Sequence, residues 1–178
     1  MAKGREKKMK KEFDREVILN KLATPGPHEF IVVLDGLKPD FNIGKIFRTA
    51  DAFGAREILL VNVEFFSPAS AKGSMRHVPA KFFGSFTECH SYLRSIGYEI
   101  FVFEPVKGVD LDRAQLPRKS AFVLGHEEFG LSFDPDQFEG VRRLRIPQFG
   151  KVQSLNVSIA GSIVMYEYLR QTGGQGRD

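Results

Sequence analysis

The sequence predicts an α/β domain, a mostly parallel sheet with helices on both faces. Three observations predict it. Strand and helix signals alternate from residue 29 to residue 171. The best strand runs are short and apolar throughout, as in sheets covered on both sides. Polar turns follow three of the strands, at the carboxyl edge where such sheets hold ligands.

The elements follow in order. Met9, Phe13 and Val17 recur every four residues and predict a helix with one apolar stripe. That stripe suits docking on the body or on a second subunit better than on a membrane. Glu29–Leu34 (EFIVVL) is a buried strand. Asn42–Phe53 is a helix with Ile43, Ile46, Phe47 and Ala50 on one side. Glu57–Val61 is the second strand, and residues 64–80 are a looser segment with Pro68, Gly73 and Pro79. Phe86–Ile96 is a helix and Tyr98–Phe103 a strand. Ala121–Leu124 and Arg142–Ile146 are two more strands, and Ser158–Gln171 closes the core as a helix. The division is a basic arm over 1–28, one domain over 29–172 and a polar tail over 173–178, with no internal repeat or dividing linker.

Composition narrows the class. At 178 residues and 42% hydrophobic, the chain supports one domain with a real core. No apolar run is long enough to span a bilayer, and the charged N-terminus lacks a signal core. Cys89 is the only cysteine, which excludes an intramolecular disulfide. These features predict a cytoplasmic protein. The net charge of +4 resides in residues 1–21, where eight Lys or Arg face four acids. A basic arm on a neutral body predicts contact with a polyanion, most simply nucleic acid, through Lys7, Lys8, Lys10, Lys11 and Arg15; a solvated tail is the competing reading.

Three polar clusters fall after strands. The first is Asp40–Arg48. Asn42 there suits a helix cap, Gly44 a close approach by a ligand or another chain, and Arg48 an anion such as phosphate. Because Ile46, Phe47 and Ala50 surround it, the Arg48 head is expected to be partly walled by apolar surface. The second cluster is Gly125–Ser132 (GHEEFGLS). Glu127 is placed to orient Arg48, to accept a hydrogen bond from a ligand, or to cap a turn. Glu128 reads as solvent-facing and His126 as a loop residue. His28, His77, His90 and His126 show no metal-ligand spacing, so no metal is expected. The third cluster is Pro147–Asn156. Gly150 permits a tight approach, and Ser154 and Asn156 precede a helix whose amino end favours negative charge, while helix capping explains them equally. There is neither a G-x-G-x-x-G after the first strand nor a phosphate-loop motif, and no defensible Ser-His-Asp arrangement.

In order along the chain these clusters read NIGKIFRTADAFGA, VLGHEEFGLS and IPQFGKVQSLNVSIAGSIVMYEYLRQ. Together they resemble the TrmH (SpoU) family of RNA ribose 2′-O-methyltransferases, in the SPOUT superfamily, over residues 29–171. The resemblance implies a C-terminal trefoil knot, which periodicity cannot reveal and general chain rules disfavour. It implies a homodimer with sites near the dimer interface, and S-adenosyl-L-methionine bound in the knot. By motif position it assigns Asn42, Arg48, Glu127, Ser154 and Asn156 to the catalytic cluster. It places the cofactor against Phe103, Glu104, Gly125, Ile146, Gln148, Ser154 and Leu155. Arg48 would also meet the RNA. The chain departs from the common pattern at Gln148, where many members have Met, and at His126, where Ser, Asn or Pro is frequent. About 28 residues precede the first strand, too few for a separate RNA-binding domain.

The expected reaction is methyl transfer to a ribose 2′-hydroxyl of tRNA or rRNA, with Arg48 acting either as base or as a group that positions and stabilises charge. Guanidinium ionisation above about 12 favours the second role. Two alternatives belong to other classes: a non-catalytic RNA-binding or assembly factor on the same fold, and a SPOUT enzyme methylating a base nitrogen.

Overall fold

The computed structural model describes residues 2–173. Its seven strands form one sheet in which every pairing is parallel. In chain order the elements are helix α1 (Ala2–Asn20), strand β1 (Ile31–Asp35), helix α2 (Phe41–Ala52) and strand β2 (Glu57–Val61). Two short 3-10 turns, Pro68–Ala71 and Ser74–Arg76, lead to β3 (Ala80–Phe83) and α3 (Phe86–Ser95). Then come β4 (Glu99–Phe103), β5 (Val109–Asp110), β6 (Ser120–Gly125), β7 (Val141–Arg145) and α4 (Val157–Thr172). Across the sheet the order is β3-β2-β1-β6-β4-β7-β5.

Side-chain alternation along the strands divides the core into two layers. Val32 and Leu34 of β1 turn to the face covered by α2 and α4, where they join Ile43, Ile46, Phe47, Val164, Met165 and Tyr168. Ile31 and Val33 turn to the other face, against Phe86, Cys89 and Leu93 of α3. Burial on both faces explains why β1, β2 and β6 read as unbroken apolar runs. Helix α4 lies close on β6: a Cβ at Gly161 would sit 2.9 Å from Leu124 Cδ1.

Helix α1 docks on the body along the stripe its sequence carries. Phe13 is buried edge-on to Phe66, with ring centroids 5.1 Å apart, and Phe66 stacks on Phe47 of α2 at 5.7 Å. Asn20 is buried at the helix end. Its Nδ2 donates to the carbonyls of Met75 and Val78, and its Oδ1 accepts from the amide of Ala80. Arg76 donates through Nε and Nη2 to Glu16 at 2.9 and 2.6 Å. That fork of hydrogen bonds outweighs burial and holds the Glu16 carboxyl below its ordinary pKa. Lys7, Lys8, Lys10, Lys11 and Arg15 stay exposed, on the side turned away from the body. Among the described residues no helix is long and apolar enough to cross a membrane.

The structure differs from the sequence pattern in four places. Strand β1 starts at Ile31 and runs through Asp35, because that aspartate is satisfied in place by Ser132. β3 occupies the end of the supposed loose segment and the residues after it; as a half-exposed edge strand it shows no alternation. β5, with two residues, is below any periodicity signal. The cap of α2 is Asp40, whose Oδ1 accepts from the amide of Phe41, so Asn42 stands inside the first turn with its side chain free for other partners. Residues 174–178 of the predicted polar tail lie outside the described residues.

Candidate active site

A cleft of 560 Å³ opens past the carboxyl ends of β4, β6 and β7. Three loops build it: Phe103–Pro105 after β4, Gly125–Leu131 after β6, and the segment from Ile146 to Asn156 between β7 and α4. Its walls are apolar at Phe103, Leu124, Leu131, Ile146, Leu155 and Val157, and polar groups enter from Gln148, Gln153, Ser154 and the backbone of the glycine loop. This is the size and make-up of a site for a drug-sized ligand. Phe103, Glu104, Gly125, Ile146, Gln148, Ser154 and Leu155, the residues expected to touch a cofactor, all line it.

The Gly125–Ser132 loop is braced from within. His126 and Gly130 exchange backbone hydrogen bonds at 2.7 and 2.9 Å. His126 Nδ1 accepts from the amides of Glu128 and Phe129, and its ring stacks on Phe129 at 4.7 Å. A Cβ at Gly125 would lie 2.6 Å from the backbone of Gly130, so this glycine is demanded by the loop's own closure. Asp35 anchors the far end. Fully buried, it accepts from Ser132 N at 2.6 Å and Ser132 Oγ at 2.7 Å. Burial pushes its carboxyl up, against the pull of those two bonds. The sequence reading passed over Asp35 and Ser132; the available signal was a lone acid ending an otherwise apolar strand.

Glu127 is the hub beside the cleft. Its Oε1 accepts from Asn42 Nδ2 at 2.9 Å and its Oε2 from the backbone amide of Lys38 at 3.1 Å. Asn42 Oδ1 in turn accepts from Asn156 Nδ2 at 3.3 Å. Asn156 caps α4 by accepting from Ser158 N and Oγ at 2.9 and 2.6 Å. Asn42, Glu127 and Asn156 therefore form one chain of bonds tying all three sequence clusters together. Burial raises the Glu127 pKa, but hydrogen bonds from Asn42 and Lys38 outweigh it and leave the carboxyl below its ordinary value. Asn156 is thus both the cap of α4 and a member of this network.

Other sequence-predicted residues stand differently. Ser154 is exposed in the cleft wall and makes no side-chain hydrogen bond among the described residues. Glu128 faces solvent and pairs with Lys38 at 2.9 Å. Arg48 lies apart from the cleft lining. It is exposed rather than walled by apolar side chains, because Ile46, Phe47 and Ala50 all turn inward to the core. Among the described residues it has no ion-pair or hydrogen-bond partner, and Glu127 does not orient it. The space beside Gly44 is filled by the chain itself: a Cβ there would meet Ser70 Oγ at 2.2 Å and Ala71 N at 2.7 Å. Gly150 has nothing near it, so no close approach requires a glycine there.

The chemistry of the cleft fits a nucleoside-type cofactor. Apolar walls suit a purine, and the Oε1 of Gln148 is a buried acceptor in the lining with no partner among the described residues. Fold and cleft together define an α/β protein with a ligand-sized cleft on the loops at the carboxyl edge of a parallel sheet.

Comparison with known proteins narrows that class. Residues 29–166 match the SpoU rRNA methylase family, and the chain belongs to it. An uncharacterised tRNA/rRNA methyltransferase of Archaeoglobus fulgidus is 31% identical over 163 residues, spanning 89% of this chain and 71% of its own. The AdoMet-bound rRNA methyltransferase of Sinorhizobium meliloti superposes with a TM-score of 0.69 at 26% identity, over 85% of this chain and 59% of that one. A solved RNA 2′-O ribose methyltransferase gives 0.71 at 29% identity, over 83% and 58%. The chain thus spans less than two thirds of either solved protein.

Proposed function

We propose that this protein transfers a methyl group from S-adenosyl-L-methionine to a ribose 2′-hydroxyl of tRNA or rRNA, with residues 29–172 as the methyltransferase domain. One observation carries the reading: in a chain of the SpoU family, loops of the second and third motifs line one cleft with the loop after β4, and the first motif is tied to both through Asn42. When bound, the cofactor supplies an electrophilic methyl on a sulfonium. The protein's own residues supply position and charge. The loops at 103–105, 125–131 and 146–156 hold the donor, and the Glu127–Asn42–Asn156 chain fixes the last two against α2. Arg48 stands on the same helix, six residues or about 9 Å of rise beyond Asn42. Its unengaged guanidinium binds the RNA phosphate next to the target ribose and stabilises the negative charge growing on the 2′-oxygen. This role needs no neutral guanidine, and the transfer needs no metal.

We further infer a C-terminal trefoil knot, a homodimer and a cytoplasmic location. The knot is supported by the path of residues 146–156, which line the cleft together with the loops after β4 and β6 before entering α4. The dimer is supported by an exposed apolar stripe on α4, where Ile159 and Tyr166 are 52% and 62% accessible and Ile163 stands between them. Because Thr49 of α2 and Phe53 just after it lie against Ser162 and Tyr166, docking that stripe on a second copy would bring another chain close to α2. Lys7, Lys8, Lys10, Lys11 and Arg15 of the N-terminal arm add sequence-independent contact to RNA phosphates. Titration with S-adenosylmethionine followed by transfer of a labelled methyl group to unmodified tRNA and rRNA tests the reading. Binding and RNA labelling are expected; a protein that binds no cofactor refutes it.

A further inference from the structure

Gln148 stands out within the cleft lining. Its neighbours Ile146 and Leu155 are apolar, yet its Oε1 is buried and has no hydrogen-bond partner among the described residues. A buried acceptor left unmade costs roughly 1–3 kcal/mol, so such a group is rare unless a ligand completes it. The amide therefore adds an interaction to this chain beyond what shape alone provides.

We infer that Gln148 is a cofactor-specificity residue whose side-chain oxygen accepts a hydrogen bond from the 6-amino group of the cofactor's adenine. The inference rests on the S-adenosylmethionine reading of the cleft. The bound molecule offers three kinds of donor: the purine amine, the ribose hydroxyls and the α-ammonium of its amino-acid arm. An ammonium buried against a neutral amide would be poorly compensated, and the same lining carries the carboxylate of Glu104, paired through one oxygen with Arg143 at 3.2 Å. A neutral amine on a flat ring matches an uncharged acceptor set in apolar walls. The hydroxyls are left as the source that the experiment must separate from the amine.

The test is calorimetric and needs no turnover. S-adenosylhomocysteine and S-inosylhomocysteine, which carries an oxo group where adenine has its amine, are each titrated into the wild-type protein and into Gln148→Met and Gln148→Leu. The wild type is expected to prefer the adenine compound. Both variants should lower that preference about fivefold, the value of one neutral hydrogen bond. Using the ratio of the two ligands removes changes common to both, and two substitutions guard against one of them failing to fold. An unchanged ratio overturns the inference, as does weaker binding of both ligands by the same factor, which would indicate a hydroxyl partner or general packing. If the wild type binds neither compound, the proposed function falls instead.

Discussion

Asn42 and Arg48 sit on one helix and face opposite circumstances. Asn42 is locked, with its amide nitrogen on Glu127 and its oxygen on Asn156, so its end of α2 is tied to both other motif segments. Arg48 is exposed and unpaired among the described residues. Behind it the helix is braced by Phe47 on Phe66 and Phe66 on Phe13. The backbone under Arg48 is thus firm while its head group is uncommitted. The difference separates two tasks. In the proposed function, the locked end braces the cofactor loops and the other end offers a cation to the RNA.

The largest effect should come from removing the free cation. Arg48→Ala is expected to lower methyl transfer at least about a hundredfold, the usual scale for a lost transition-state charge contact, while cofactor affinity and thermal stability stay near wild type. Next in size is the brace. Phe13→Ala should cost about 3 kcal/mol in denaturant unfolding, the low end for a buried phenylalanine. By contrast, changing Lys7, Lys8, Lys10 and Lys11 together to Gln should leave unfolding unchanged, reduce RNA affinity and flatten its salt dependence. A large stability loss in that variant would show that the basic side of α1 also serves the fold.

Breaking the locked end is expected to have a smaller effect on binding. Glu127→Gln cannot accept from both Asn42 and Lys38 without presenting its own amide to a donor, so S-adenosylmethionine should bind about tenfold more weakly by calorimetry. The smallest effect is on pH dependence. The folded Glu127 carboxyl ionises below its ordinary value of about 4.3. Its contribution is therefore present above that value and is lost as pH falls through the lower folded one. Cofactor affinity should hold steady from neutrality down to about pH 5 and weaken only in stronger acid. A decline beginning near pH 6 would contradict this and point to another group.

The sheet was legible in sequence because both its faces are buried: IVVLD, EILLV and SAFVLG carry nothing but short apolar runs with polar residues or glycine at the strand ends. β3 and β5 were not, because an edge strand with exposed Lys81 and a two-residue strand need neither alternation nor apolarity. The polar clusters were visible as strand-end turns. Their joining was not, since the Asn42–Glu127 and Asn42–Asn156 bonds span 85 and 114 residues and only the three-dimensional path of the chain decides them. Arg48 shows the opposite limit. Its apolar neighbours in sequence suggested a walled side chain, but on a helix the residues beside it point elsewhere, and it faces solvent. Asp35 escaped notice because one acid at the end of a strand carries no pattern, although it anchors a wall of the cleft.

Nucleoside mass spectrometry of RNA treated with the protein and S-adenosylmethionine bears most directly on the division between the two ends of α2. Unmodified tRNA and rRNA, incubated with wild type, should yield one 2′-O-methylated nucleoside, and the same RNA with Arg48→Ala should yield none even though that variant still binds cofactor. A base-methylated nucleoside, or full 2′-O-methylation by Arg48→Ala, would contradict the account.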